Sequence, residues 1–593
     1  MATIDGGTLL LRTLEALGVE HLFQVLGDPL APIAMANLRQ GPTAYNFRHE
    51  QAAAMAAQAY GYMNRRLGVA LVPSGPAVTN AITGLATAWS NAWPMLLLGG
   101  ASETGKRGLG DFQEMPQVQS VAPFCKWAAA VDRTERLPWF LETAAREAFS
   151  GRPGPVYLDL PSEVLSTVIE AGVALHLPSF PAIPRPGADP AQVERAAQRI
   201  ARAERPLLII GKGAAWSDAG AAARHLAEYF ELPFLPSPMG KGVIPDEHPL
   251  CVGAARSTAL RNADLIIMAG ARFNWAFHFG LPPRVAAGVD VIHIEIAPEE
   301  IGCNIPTEFG LAGDVRAIFE QLAQAGVRHA PSPARTAWLE GLREACRKNE
   351  EALAPLIRSD APFTNFYRLF HELGEVVGKN TVFVNDGEHT MAISRTMQVM
   401  HTARERLDAG TSGCMGVGVP YAIGAQIARP RQRVVCMNGD YSVGWNAMEL
   451  ETAVRHELPI LFIVANNGTI RPGAMAFDNH AFTADQGVRY DMLMQSVGGH
   501  GENVRTSAEL RPALERRPGR GQTSPAQRGH RPSRQAQTPG VRLARSARQG
   551  HLLMAGFAGV AGSRCSGAAA TGFPYLQIWR SWPRRCSPDS WHR

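Results

Sequence analysis

Short apolar runs of four to six residues, each closed by a turn and followed by a helical stretch, recur along the chain, and this alternation narrows its fold more than any other feature. In the first 165 residues the runs are His21–Val25, Val69–Val72, Met95–Leu98 and Val156–Leu160. The middle holds Leu207–Ile210, Leu265–Ala269 and Val291–Ile296, and the last third holds Val382–Asn385, Val434–Asn438 and Ile460–Ala465. Helical patterns lie between them at Thr8–Leu17, the Ala-rich Glu50–Met63, Asn80–Asn91 and Met448–Arg455. Strands separated by helices pair in parallel and are covered on both faces. The predicted class is α/β, with three consecutive parallel-sheet domains at 1–170, 190–330 and 360–517. Prolines at 178, 181, 184 and 186 mark one linker, and Ala330–Pro333 marks another.

At 593 residues, 46% hydrophobic and 19% charged, the chain has the make-up of a multidomain globular protein and not of a disordered one. No apolar run reaches the length of a membrane span, and Met1-Ala-Thr-Ile-Asp5 lacks the basic start of a signal peptide. Eight cysteines without a CxxC pair argue for reduced thiols and against a zinc site, which predicts a cytoplasmic protein. The net charge of +5 hides a division. Arg516–Arg593 carries 14 Arg, no Lys and one acid, a net of +13, which leaves −8 for residues 1–515.

One motif carries chemistry. The run Val434–Asn438 leads into Gly439-Asp440-Tyr441-Ser442, and Ile460–Ala465 leads into Asn466-Asn467-Gly468. Asp440 and Asn467 are 27 positions apart, which puts a carboxylate and a carboxamide at the C-terminal ends of neighbouring parallel strands. Such oxygen donors suit Mg²⁺, with a loop carbonyl near Thr469 as a third ligand and phosphate oxygens completing the shell. A helix starting after Ser442 would offer amides to a diphosphate. Alone, either dipeptide is an ordinary turn; the pair at this spacing is a site.

With this motif the chain resembles the thiamine diphosphate enzymes of the acetolactate synthase and 2-hydroxyacyl-CoA lyase group, over about residues 5–515. Arg48-His49-Glu50 looks like the group's catalytic glutamate segment, and Ser74-Gly75-Pro76-Ala77-Val78-Thr79-Asn80 and Asp111-Phe112-Gln113 match further stretches. Gly410-Thr411-Ser412-Gly413-Cys414-Met415 is similar to the segment that bends the cofactor. Two stretches of the middle domain, Pro236–Asp246 and Gly270–Arg284, look closest to 2-hydroxyacyl-CoA lyases and oxalyl-CoA decarboxylases. Departures fall at Ala77, where Gly is usual, at Glu388, where relatives are neutral beside the diphosphate, and at Ile470-Arg471-Pro472, where an Ile-Tyr pair is usual.

The resemblance implies pyrimidine-binding, central Rossmann-like and diphosphate-binding domains, with thiamine diphosphate and Mg²⁺ as cofactors. It implies that Glu50 hydrogen-bonds the aminopyrimidine ring and promotes formation of the C2 ylid, while Gln113 faces the reacting carbon. Pro76, Asn80, Gly387, His389, Gly413, Met415, Gly439, Asp440, Ser442 and Asn467 would contact the cofactor. Met415 would wedge between its rings, and Asp440, Asn467 and Thr469 would hold the metal. Gly211, Lys212, Arg272 and Glu295, at strand ends of the central domain, are candidates for CoA or an adenine nucleotide. The implied reaction is carbon–carbon cleavage of a 2-hydroxyacyl-CoA or decarboxylation of oxalyl-CoA, in a homodimer or homotetramer. The alternatives are an acetolactate synthase-like or 2-oxoacid decarboxylase and carboligase activity, or an inactive scaffold or nucleic-acid binder acting through the tail.

Residues 518–593 form a basic, Arg-, Gly-, Ser- and Pro-rich tail, predicted to be irregular and disordered. A one-base shift of codons permitted for Ser524–Arg545 can encode Leu-Asn-Val-Val-Ile-Asp-Pro within a segment similar to the end of 2-hydroxyacyl-CoA lyases. The tail is read as a frameshift product beginning near 515–523, in preference to a nucleic-acid arm. Loss of the native last strand is expected to leave an open apolar edge on the third sheet.

Overall fold

The computed structural model describes residues 2–172, 177–327, 332–361, 364–468, 488–516 and 575–581. Its strands are β1 (Thr3–Asp5), β2 (His21–Gln24), β3 (Thr43–Asn46), β4 (Gly68–Val72), β5 (Met95–Ala101), β6 (Trp127–Ala130), β7 (Pro155–Pro161) and β8 (Val168–Glu170) in the first domain. The central domain has β9 (Pro206–Ile210), β10 (Phe234–Pro236), β11 (Leu265–Ala269), β12 (Asp290–Glu295) and β13 (Phe309–Ala312). The third has β14 (Thr381–Asp386), β15 (Arg406–Asp408), β16 (Arg433–Gly439), β17 (Ile460–Asn466), β18 (His500–Val504) and β19 (Tyr575–Ser581).

The first sheet runs β3-β2-β4-β5-β7-β6 and the central one β10-β9-β11-β12-β13, both wholly parallel. The interior strands are buried along nearly all their length, and Leu265–Ala269 and Ile460–Ala465 without a break, as unbroken apolar runs require of strands covered on both faces. An antiparallel pair, β1 with β8, ties residues 3–5 to the end of the first domain.

The Ala-rich helix Glu50–Asn64 is the centre of the molecule. Every residue from Ala52 to Met63 is buried, so its low amphipathicity reflects neighbours on all sides. Those neighbours come close because they are glycines. A Cβ at Gly68, leading into β4, would overlap the Ala57 carbonyl, and one at Gly84 would lie 2.5 Å from the Ala54 Cβ. On the third-domain side, a Cβ at Gly424 in helix Gly418–Ala428 would overlap the Ala56 carbonyl. The Tyr421 hydroxyl donates to Gln58 Oε1 (3.2 Å) across this junction, and Arg429 Nη2 donates to the Met63 carbonyl (2.8 Å). One apolar cluster therefore continues from the first domain into the third, whereas the central domain keeps cores of its own.

The third sheet runs β15-β14-β16-β17-β19-β18 and takes in one segment of the tail. Tyr575–Ser581 inserts between β17 and β18, antiparallel to both, with Ile463 opposite Ile578. These seven tail residues give β17 a strand partner on this side; the rest of 517–593 lies outside the described residues. Leu576 and Ile578 are buried there, and Arg580 Nη2 donates to the carbonyls of Ala513 (2.9 Å) and Leu514 (2.7 Å). Two buried aliphatic side chains contribute about 1.5–3 kcal/mol each.

Three outcomes are expected in thermal and urea unfolding. Gly424→Ala should cost about 1–3 kcal/mol through overpacking. Gly374→Ala, whose added methyl meets nothing within 4 Å, should be neutral or slightly stabilising. Deleting 570–593 should lower the midpoint and increase light scattering, because β17 and β18 lose the strand between them.

Candidate active site

Parallel pairing of β16 with β17 sets Gly439 opposite Ala465. Asp440 and Asn467 follow at the C-terminal ends of these adjacent strands, so residues distant in sequence converge. Asp440 is buried; its Oδ1 accepts the Tyr441 amide and its Oδ2 the Gly468 amide, each at 2.9 Å. Burial raises its pKa, the backbone donors opposing that shift. The helix Asp440–Gly444 begins at Asp440 itself and contains Ser442, which corrects the predicted start after Ser442. Ser442 Oγ donates to the carbonyls of Gly439 (3.0 Å) and Asp386 (3.2 Å).

Gly387 completes a cradle. Its φ is +108°, and a Cβ there would face the Gly439 amide at 3.4 Å and Ser442 Oγ at 3.6 Å. Asp386 Oδ2 accepts the amides of Gly416 (3.0 Å) and Gly418 (2.8 Å), which fixes the loop carrying Gly413 and Met415. Burial pushes the Asp386 carboxyl up to about 7. Gly413 is left-handed, with φ +60°, and Met415 is exposed. His389 stacks on Phe366, ring centroids 5.8 Å apart. Among the described residues no group of three His, Cys, Asp or Glu could hold a metal. Asp440 and Asn467 offer oxygen donors, which a cation would share with a diphosphate. The cradle and donor set fit Mg²⁺ and a diphosphate. Thr469 and Ile470-Arg471-Pro472 lie outside the described residues.

The first domain supplies a second cluster at the C-terminal end of β4. Glu50 opens its helix, half-buried, and its Oε2 accepts from Asn80 Nδ2 at 3.0 Å. Pro76 is the first residue of helix Pro76–Asn91, which starts four residues before the predicted Asn80. Gln113 has φ +57°, and its Oε1 accepts from the buried Ser74 hydroxyl at 2.9 Å. Gln117 bonds the Gly75 amide (2.5 Å) and the Gly100 carbonyl (2.9 Å), bracing the same turn.

All three domains contribute to a cavity of about 670 Å³. Lys212, Arg272 and Glu295 line it, together with Arg152, Trp216 and Arg395. Lys212 Nζ donates to Asn91 Oδ1 at 2.9 Å; burial, with Arg272 and Arg152 nearby, lowers it to about 7. Arg272 and Arg152 converge on Glu300 Oε1 at 2.6 and 2.5 Å. Glu295 is turned onto its own backbone, accepting the amides of Ile296 (2.9 Å) and Ala297 (3.3 Å), and burial raises its pKa. Gly211 packs against the Gly270 carbonyl and does not line the cavity, whereas its neighbours Lys212 and Gly213 do. Glu388 lines it as well.

The chain matches the N-terminal TPP binding domain of thiamine pyrophosphate enzymes over residues 4–121, their central domain over 193–322 and their C-terminal TPP binding domain over 386–525. It is 40% identical over 531 residues to mouse 2-hydroxyacyl-CoA lyase 1, covering 86% of this chain and 91% of that protein. It is 35% identical over 529 residues to oxalyl-CoA decarboxylase of Escherichia coli K12, covering 86% and 92%. The Arabidopsis thaliana 2-hydroxyacyl-CoA lyase is 35% identical over 535 residues, covering 86% and 93%. The chain belongs to the thiamine pyrophosphate enzyme family. It is an enzyme of the lyase and decarboxylase group, with thiamine diphosphate as its cofactor and Mg²⁺ the expected companion.

The motif residues of this thiamine pyrophosphate enzyme fall in two clusters: Glu50, Pro76, Asn80 and Gln113 on the first domain, and Gly387, Gly413, Met415, Asp440, Ser442 and Asn467 on the third. Arg152, Trp216 and Arg395, missed in the sequence, meet at the cavity from three domains, and no local spacing announces them. The Lys212 ammonium, ordinary in the unfolded chain, is disfavoured on folding. Its cost therefore appears below about pH 10.5 and grows as pH falls toward 7. Lys212→Met should gain stability relative to the parent chain as pH is lowered from 10 to 7. Urea midpoints of the pair at several pH values measure this; a constant difference would contradict it.

Proposed function

We propose that this thiamine diphosphate- and Mg²⁺-dependent enzyme cleaves the C1–C2 bond of a 2-hydroxyacyl-CoA, releasing a shortened aldehyde and formyl-CoA. The observation that carries this reading is the likeness to 2-hydroxyacyl-CoA lyases along more than nine-tenths of their length. A second reading, decarboxylation of oxalyl-CoA, rests on the comparable coverage of the Escherichia coli enzyme. Bound at the two clusters, the cofactor would supply an electron sink for the cleaved bond.

The chain's own residues divide the remaining work. Asp440 and Asn467 present oxygens to the cation, and the space left by Gly387 admits a diphosphate. Glu50 would hold a proton toward a ring nitrogen of the cofactor, and its Oε2 is braced by Asn80. With Oε1 of Gln113 taken by Ser74, its amide nitrogen is the end turned to substrate. The cavity around Lys212, Arg272 and Arg152 is suited to the phosphates of CoA or an adenine nucleotide. Bulky apolar side chains stand exposed beside both clusters: Leu109, Phe112 and Met115 on one, Met415, Trp445 and Met448 on the other. We infer that a second subunit covers them in a homodimer or homotetramer, and that the enzyme is cytoplasmic. No helix among the described residues is long and apolar enough to cross a membrane.

The test is to supply the purified chain with both cofactors and offer 2-hydroxyacyl-CoA and oxalyl-CoA separately. Aldehyde plus formyl-CoA from the first supports the lyase; CO₂ plus formyl-CoA from oxalyl-CoA alone moves the reading to the decarboxylase. Glu50→Gln should reduce turnover by about 100-fold or more, as loss of a general acid–base group does.

A further inference from the structure

The backbone that delivers Glu50 is held from a second domain as well as from its own. Residues 46–49 run from β3 to the Glu50 helix. Within the first domain they are tied by the Phe47 amide on the Gln24 carbonyl (2.8 Å), by Gln24 Nε2 on Asn46 Oδ1 (2.8 Å), by the Ala53 and Gln51 amides on the His49 carbonyl and Nδ1 (3.1 Å each), and by the buried Phe47 ring. The third-domain helix Glu449–Arg455 supplies a second set. Arg455 Nη2 donates to the Asn46 carbonyl (2.6 Å), and Arg48 Nε donates to Glu451 Oε2 (2.7 Å). Glu449 Oε1 accepts the amides of both Arg48 (3.1 Å) and His49 (3.0 Å). Its Oε2 accepts the Thr452 hydroxyl at 2.5 Å, and the residue is only 1% exposed.

Burying a carboxylate is costly unless donors converge on it. Here two of the donors are the amides immediately before Glu50, so the side chain is spent on the approach to that residue. The same stretch of chain reaches the other cluster. Asn446 Nδ2, one turn before Glu449, donates to the Gly416 carbonyl (2.7 Å), beside Met415, and Asp440 lies a few residues earlier.

We propose that Glu449 is a positioning residue for Glu50: its carboxylate fixes the backbone that aims the Glu50 side chain, and so locks the first-domain cluster to the segment carrying Asp440. This rests on the reading of Glu50 as the catalytic carboxylate. A one-ångström misplacement of such a group costs on the order of 100-fold in rate. Glu449→Gln keeps one oxygen for the two amides, and Thr452 can turn to accept from its nitrogen. Glu449→Ala leaves the amides without an acceptor.

The test uses the full chain with thiamine diphosphate and Mg²⁺. Two quantities are read: amide hydrogen exchange of residues 46–53 by mass spectrometry on the cofactor-free protein, and exchange of the cofactor C2 hydrogen with D₂O, which needs no substrate. Glu449→Ala should speed exchange at the Arg48 and His49 amides and slow C2 exchange by about 10–100-fold, with cofactor affinity little changed. Glu449→Gln should recover most of both. If the alanine variant does not fold, Glu449→Asp carries the test: its charge is kept and its reach is one methylene short, so both effects should appear in reduced form. Faster amide exchange with unaltered C2 exchange, in either variant, overturns the proposal. So does slowed C2 exchange in Glu449→Gln with its amides still protected. Glu50→Gln separates the two claims. It should lose C2 exchange while residues 48 and 49 stay protected; undiminished C2 exchange there refutes the reading of Glu50, whatever the Glu449 variants do.

Discussion

The close passage of the Glu50 helix beneath the Gly418 helix is the contact on which the rest of the molecule depends. Side chains of ordinary size would hold two helices 8–10 Å apart. Here Gly424 lies against the Ala56 carbonyl, and Gly68 and Gly84 do the same for Ala57 and Ala54 from within the first domain. The small residues surrender burial area per side chain, and the compensation is a backbone-to-backbone fit that joins two domains through one core. Because Glu50 begins one of these helices and the loop of Met415 leads into the other, the packing also sets the relation between the two clusters.

The architecture was legible because parallel strands buried on both faces leave an unmistakable trace. The limits of Leu265–Ala269 agree with the sequence reading, the other interior strands named from the sequence agree to within one residue at either end, and Met95–Leu98 falls three residues short of the end of β5 at Ala101. The sequence does not announce the short pair β1 and β8, nor the edge strands β3, β6, β10, β13, β15 and β18, where runs are short and many residues are polar or small. β19 could not have been foreseen from pairing rules, since it reaches the sheet antiparallel after a basic stretch that separates it from β18. It occupies the interior slot that a parallel sheet would give to a strand of the same hand. The Ala-rich pattern of Glu50–Met63 announced a helix, but not that it would be enclosed, because its partners are glycines scattered over three segments.

The site was legible where chemistry is local and opaque where it is assembled. Asp440 and Asn467 can be found from two dipeptides, because a parallel pair places their strand ends side by side. Glu449 has no such signature. It is an acid at the start of a short helix, a commonplace, and becomes informative only when the amides of Arg48 and His49 are seen to end on it. The cavity is opaque for the same reason: Lys212 and Arg272 sit at strand ends of the central domain, yet Arg152 and Arg395 come from the other two.

The central claim is that Asp440 and Asn467, together with the space above Gly387, form the diphosphate half of a thiamine diphosphate site. Calorimetric titration of the purified full chain with thiamine diphosphate, in the presence and absence of Mg²⁺, tests it most directly. The account predicts saturable binding of one cofactor per chain that requires the cation and is abolished in Asp440→Ala. Binding that ignores Mg²⁺, or that survives loss of Asp440 unchanged, would contradict it.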